Sequence, residues 1–266
     1  LFTKGRIRGS NTFFNATYSK ADETLPIISI INRGSASASE IISGTLQDLD
    51  RGLVIGETSF GKGSVQQHYD LDNETAARIT IAKYHTPSGR SIQRDYANDD
   101  VEYYDNLAVE NRELSDSLKQ ILPKFKTKNG RTVYGGGGIN PDIYFQDTLN
   151  LTDAAIDLIY NPKRYIFNYS ETLKGDYENM TYSELVEAGL KKIKFDEFIE
   201  WLKEKEFTEI NEQELLENWD NIKVRIIADI ANKFLGRTNY YKILIMNDKT
   251  AQEALKYFSE AKTLLN

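Results

Sequence analysis

Two short apolar runs bracketing an amphipathic segment constrain this chain more than any other feature. Pro26-Ile27-Ile28-Ser29-Ile30-Ile31-Asn32 is nearly continuous in apolar side chains, the pattern of a strand buried on both faces. Residues 37–50 follow, with Ile41, Ile42, Thr45, Leu46 and Leu49 recurring at three and four, which predicts a helix. Gly52-Leu53-Val54-Ile55-Gly56 supplies a second buried strand. Strand, helix and strand in that order make a β-α-β unit, which implies a parallel sheet.

The same strand-rich, glycine-punctuated grammar continues to residue 146. Val65 to Leu71 and Ala76 to His85 have strand composition and flank Asp72-Asn73-Glu74-Thr75, so an antiparallel hairpin is expected. Thr86-Pro87-Ser88-Gly89 is a turn, Asn98 to Asp105 an acidic exposed stretch, and 107–122 carries a weak helical period. Gly135 to Gly138 is a four-glycine run, and Pro141-Asp142-Ile143-Tyr144-Phe145 returns to strand. From Thr152 glycine thins out and helical periodicity dominates, as in Leu185, Gly189, Ile193, Phe198, Ile199 and Leu202, with similar stretches at 212–235 and 249–265. The expected division is therefore 1–146 as an α/β core and 147–266 as a helical domain, joined near 146–152.

Composition removes several function classes. The 266 residues are 40% hydrophobic and 27% charged, as in a soluble globular protein. A net charge of -7 argues against nucleic acid as a partner, which needs a concentrated basic surface. Lys191, Lys192 and Lys194 sit among acidic residues and read as a solvated helix face. No apolar run approaches the roughly 20 residues that span a bilayer. With no cysteine, disulfides, thiolate metal sites and cysteine catalysis are all excluded. The chain opens on Leu1 without an initiator methionine, so it is expected to be a piece of a longer or processed protein, and any export signal would lie in the remainder.

With two histidines in all, a serine activated by a lysine is one of the few nucleophilic options left. Ser37 opens the expected helix. Ser37-Ala38-Ser39-Glu40 fits the S-x-x-E capping box, and on that pattern alone Ser37 is a cap. A serine there also lies beside free helix N–H groups that stabilise an oxyanion. Lys62 is either a solvated lysine presented by Gly61 and Gly63, or a lysine desolvated beside Phe60 and Val65 that acts as a neutral base. Gln66 follows four residues later, where it could orient the amine. Asp48 falls on the helix face of Ser37 but roughly 16 Å along the axis, which favours a structural or supporting role.

Two rival chemistries are weaker. Gly56 to Lys62 matches the G-x-x-x-x-G-K of a phosphate-binding loop, but Gly63 stands where Ser or Thr would hold magnesium, and a strand follows where a helix should open. His68 and His85 are candidates to face each other across the hairpin; without nearby carboxylates or thiolates they read as sheet-surface residues, and neither metal nor cofactor is expected.

Taken in order, Gly34-Ser35-Ala36-Ser37-Ala38-Ser39-Glu40, Gln47-Asp48, Gly56-Glu57, Phe60-Gly61-Lys62-Gly63, Gln66 and Tyr84 to Gln93 resemble the carboxy-terminal processing peptidases, or tail-specific proteases. Gly136-Gly137-Gly138-Ile139-Asn140-Pro141-Asp142 resembles their later G-I-x-P-D segment, and the likeness covers about 26–95 and 130–146. The resemblance implies a ClpP/crotonase-like α/β core, here incomplete, followed by a helical domain. It implies Ser37 as nucleophile, Lys62 as general base, Gln66 as the residue that positions the base, and the Ala38 N–H as one oxyanion donor. The family's second oxyanion donor, an upstream glycine, has no counterpart in 1–36, and its PDZ domain also lies upstream. The chain alone is thus expected to be weakly active or inactive. Protein or peptide substrates and a bacterial cell envelope, periplasmic setting follow from the same resemblance, and the helical half is a candidate for adaptor binding or self-association. Asn247 to Ala254 resembles C-terminal extensions of some members. The alternative is a non-catalytic peptidase-like scaffold that binds a partner protein through its helical half.

Overall fold

The computed structural model describes residues 1–17, 23–72, 74–94, 113–146, 151–207 and 210–265. The acidic stretch 98–105 and the first part of 107–122 lie outside them. The chain divides into two compact units, Leu1–Asp147 with Glu253–Asn266, and Thr148–Gln252.

In the first unit β1 (Phe2–Gly5) and β2 (Thr12–Phe13) precede β3 (Ile28–Ile31), α1 (Ala38–Asp48) and β4 (Leu53–Gly56). The β-α-β expectation holds: β3 and β4 are parallel, in the register Ile28 opposite Leu53 and Ile31 opposite Gly56. β5 (Ser64–Asp70) and β6 (Ala76–His85) form the expected antiparallel hairpin. After α2 (Asp116–Ile121), the short strands β7 (Lys124–Lys126) and β8 (Thr132–Tyr134) pair with each other. β9 (Ile143–Tyr144) joins the parallel sheet beside β4, giving the order β3-β4-β9. β1 also pairs with β6, so the second sheet runs β2-β1-β6-β5.

β4 is buried along its whole length, and its alternation sorts two cores. Val54 packs with Ile31, Ile92 and Ile139, covered by Ile41 of α1. Leu53 and Ile55 point the other way, to Ala254 and Ala261 with Ile28, Ile143, Tyr257 and Leu264. The last residues of the chain, including the helix Phe258–Thr263, thus cover the face of the sheet opposite α1. On the α1 side Gly44 permits close approach, since a Cβ there would fall 2.6 Å from Ile139 Cδ1.

The second unit is helical. Its core gathers Leu185, Ile193, Phe198, Ile199 and Leu202, all expected from their periodicity, around the helix Trp219–Leu235. That helix contributes Ile222, Ile226, Ile227, Ile230 and Ala231 at three- and four-residue spacing. The expected run 212–235 is interrupted at Asn218, whose side-chain Oδ1 accepts from Thr152 N–H at 2.8 Å. Tyr169 packs edge-on against Phe198 and Trp201, with centroids at 4.8 and 5.2 Å. Among the described residues no helix is long and apolar enough to cross a membrane.

Candidate active site

The site is built where the parallel strands end. β3 stops at Ile31, and the turn Asn32–Ser35 closes through Ser35 N–H to Asn32 O at 2.9 Å. Ser37 follows as the residue before α1, with φ 56° and ψ −113°. A non-glycine residue in that left-handed region is strained and persists only where its surroundings hold it. Glu40, in the first turn, reaches back so that its Oε2 accepts from the Ser37 N–H at 2.9 Å. The reach-back bond expected of a capping box is present, and the serine side chain stays exposed.

The loop after β4 is held backbone group by backbone group. Ser59 N–H donates to Ile139 O at 3.1 Å, Phe60 N–H to Ser35 O at 2.9 Å, and Gly63 N–H to Gln93 Oε1 at 3.0 Å. The remaining two amides find Glu40: Gly61 N–H meets Oε1 at 2.6 Å and Lys62 N–H meets Oε2 at 2.9 Å. Ser59 Oγ donates to Oε1 at 2.5 Å while accepting from Ile139 N–H at 2.7 Å. Gly61 has φ +95°, and a Cβ there would fall 2.9 Å from Arg94 Cβ, so the glycine beside Lys62 answers to backbone conformation and close packing.

Ser37 and Lys62 therefore share one carboxylate oxygen through their backbone amides, although 25 positions separate them in the chain. Both side chains are exposed, and so is Gln66 on β5. Of the two readings of Lys62, the structure has the solvated lysine and not the desolvated one. No hydrogen bond links the Ser37 hydroxyl, the Lys62 amine and the Gln66 amide to one another. Gln66 sits opposite Thr80 at an irregularity in the β5–β6 register. The Ala38 N–H, at the first helical position, donates to no hydrogen bond among the described residues, as an oxyanion donor must be free to do.

Asp48 lies at the far end of α1. Its Oδ1 meets Arg90 Nη2 at 2.8 Å, with both side chains fully buried, and its Oδ2 accepts from Ser88 N–H at 2.9 Å. Burial pushes the Arg90 guanidinium below its usual pKa, and Asp48 opposes that shift. Gln47 beside it accepts from Arg90 Nη2 at 2.6 Å and donates through Nε2 to Asn140 O and Asp142 Oδ1, each at 2.9 Å. Arg131 completes the cluster, reaching Asp50 and Asp142 at 2.6 Å each. This network ties α1 to the Thr86–Arg90 turn and to the Ile139–Asp142 segment.

The histidines do not face each other. His68 lies opposite Arg78 and contacts Asp70 at 3.0 Å, whereas His85 lies opposite Phe2 and stacks on its ring at 5.1 Å. The phosphate-loop alternative also meets a strand, β5, where it needs a helix. No group of three or more His, Cys, Asp or Glu arranged to hold a metal exists among the described residues. In the sequence Glu40 shows only as half of a cap, and nothing marks Ser59. The capping pattern carries no sign of three further donors arriving from about 20 residues downstream.

Residues 1–103 match peptidase family S41. The chain is 50% identical over 91 residues to a carboxy-terminal-processing protease of Bartonella bacilliformis, covering 34% of this chain and 21% of that protein. It is 38% identical over 95 residues to the chloroplastic C-terminal processing peptidase of Tetradesmus obliquus, covering 36% and 20%. A solved structure of a photosystem II D1 C-terminal processing protease is 28% identical, covers 46% of this chain and 20% of its own, and superposes with a TM-score of 0.29. The chain thus spans about a fifth of the length of the curated relatives it matches. Within that span it carries the Ser37 turn, the glycine-flanked Lys62 and the Gln47-Asp48 pair, and over residues 1–103 it is similar to peptidase family S41 and to carboxy-terminal-processing proteases.

Proposed function

We propose that this chain carries the Ser/Lys dyad of a serine endopeptidase that processes or degrades proteins from or near their C-termini. The observation that carries the reading is the shared Glu40 oxygen, which sets the turn of an exposed, strained serine against the loop of an exposed lysine. Ser37 Oγ attacks the peptide carbonyl as its proton passes to the Lys62 amine, the general base. The Ala38 N–H faces the charge that develops on the carbonyl oxygen. Collapse of the tetrahedral species transfers the proton to the leaving amine and leaves an acyl-enzyme. Water, deprotonated by Lys62, then releases the product and regenerates Ser37. Gln66 orients the amine once substrate closes the site, and catalytic hydrogen bonds that are long or absent in a free enzyme tighten at that stage.

The fold around this site is read as a ClpP/crotonase-like core, residues 147–266 as a helical domain, and the working compartment as the periplasm of a bacterial cell envelope. The support is the parallel β3-β4-β9 sheet and the bacterial relative.

The test is cleavage of an unstructured protein with an apolar C-terminus by the full-length protein and by its Ser37→Ala and Lys62→Ala variants. Loss of activity in both, with folding intact, supports the dyad. Cleavage that persists in either removes that residue from the mechanism. If the unmodified protein neither cleaves nor reacts with a serine-directed phosphonate, the scaffold alternative replaces this reading.

A further inference from the structure

Glu40 is fully buried, yet among the described residues no cation pairs with it. Four donors meet it instead: the N–H groups of Ser37, Gly61 and Lys62 and the Ser59 hydroxyl, at 2.9, 2.6, 2.9 and 2.5 Å. An ionised carboxylate has about four acceptor sites and no donor, so these bonds use its capacity in full. Its place in the first turn of α1 adds the favourable end of the helix dipole. A cap needs only the bond to Ser37. The other three come from the loop after β4, and they include the amide of Lys62 itself.

We propose that Glu40 is the positioning residue of the Ser37/Lys62 pair, its carboxylate the common acceptor that sets the nucleophile's turn against the lysine's loop. The proposal rests on the dyad reading above. Glu40 acts through backbone amides and touches neither the hydroxyl nor the amine. Ser37 and Gly61 both hold left-handed backbone, at φ 56° and 95°, and the shared acceptor is what both conformations are bonded to. A displacement of about 1 Å between reacting groups costs about 100-fold in rate, so the tie matters for turnover more than for substrate affinity.

Two substitutions separate this role from simple packing. Glu40→Gln keeps the shape but turns one acceptor into a donor that faces two incoming donors. Glu40→Asp is shorter but remains acceptor-only. In the full-length protein, with kcat and KM measured separately on the same unstructured substrate, Glu40→Gln is expected to lower kcat about 100-fold with KM within about threefold. Glu40→Asp is expected to retain more kcat than Glu40→Gln. Amide exchange followed by NMR should accelerate together at Ser37, Gly61 and Lys62 in Glu40→Gln, while β4 keeps its protection. A reversed order, with Glu40→Gln at least as active as Glu40→Asp, or unchanged exchange at Ser37 and Lys62, overturns the proposal. Ser37→Ala and Lys62→Ala run alongside: if either still cleaves, the dyad reading falls and this proposal with it. If both are inactive while Glu40→Gln keeps its kcat, this proposal alone falls.

Discussion

Asp48 and Arg90 form an ion pair sealed inside the first unit, 2.8 Å apart with neither side chain exposed. Removing one partner strands the other as an uncompensated buried charge. Asp48→Ala is expected to destabilise the protein by about 3–5 kcal/mol, whereas Asp48→Leu combined with Arg90→Met should cost less than either single change. Urea unfolding of Asp48→Leu, Arg90→Met and the double variant decides it, and a double variant less stable than both singles would refute the account.

Gly138 and Gly130 offer a matched comparison. Both have positive φ, +82° and +88°, but a Cβ on Gly138 would fall 2.6 Å from Ser59 O while one on Gly130 meets nothing within 4 Å. Gly130→Ala should therefore cost only the left-handed penalty of about 1–2 kcal/mol. Gly138→Ala should cost more and also lower cleavage, because the clash displaces Ser59, a donor to Glu40. Equal stability losses would show that the loop yields without strain.

Asp50 gives an acid dependence. Burial alone would raise its pKa, but the Asn129 N–H at 2.5 Å and Arg131 Nε at 2.6 Å hold it below the ordinary carboxylate range. A depressed carboxylate contributes stability that is full above the unfolded pKa of about 4 and is lost as pH falls through the folded value. Asp50→Asn, which tolerates the native φ of 51°, should thus be destabilising at pH 7 and progressively less so below about pH 4. Thermal melts across that range read the difference.

Asp229 in the helical unit works with the opposite sign. Burial pushes its pKa up to about 6, against the pull of Arg164 and Arg225, and Glu171 adds to the rise. The folded form then holds a proton that the unfolded chain releases near pH 4, so the contribution to stability falls as pH rises through about 6. Asp229→Asn should raise the melting temperature at pH 7.5 and leave it nearly unchanged at pH 4. An equal effect at both values would assign the residue a role unrelated to its charge.

The parallel unit was legible because β3 and β4 are short, apolar and separated by a periodic helix, all of it local information. The periodic positions Leu185 to Leu202 were legible for the same reason. What sequence could not show is which charged residues are inside. Glu40, Asp48, Asp50 and Arg90 are all buried, and each bonds to groups distant in the chain, such as Ser59 for Glu40 and Asn129 for Asp50. The β1–β6 pairing was equally hidden, since Phe2–Gly5 is too short to carry a period of its own. Sequence leaves both a solvated and a desolvated Lys62 open, because apolar neighbours in the chain, Phe60 and Val65, need not be neighbours in space.

The return of residues 253–266 to the outer face of β4 changes what deletion experiments can mean. A helical region anchored to the first unit at both of its ends is threaded as an insert, not hung as a tail. Cutting the chain at residue 147 removes the helices but also uncovers Leu53 and Ile55, so a loss of activity there would report a stripped sheet before it reported a missing domain.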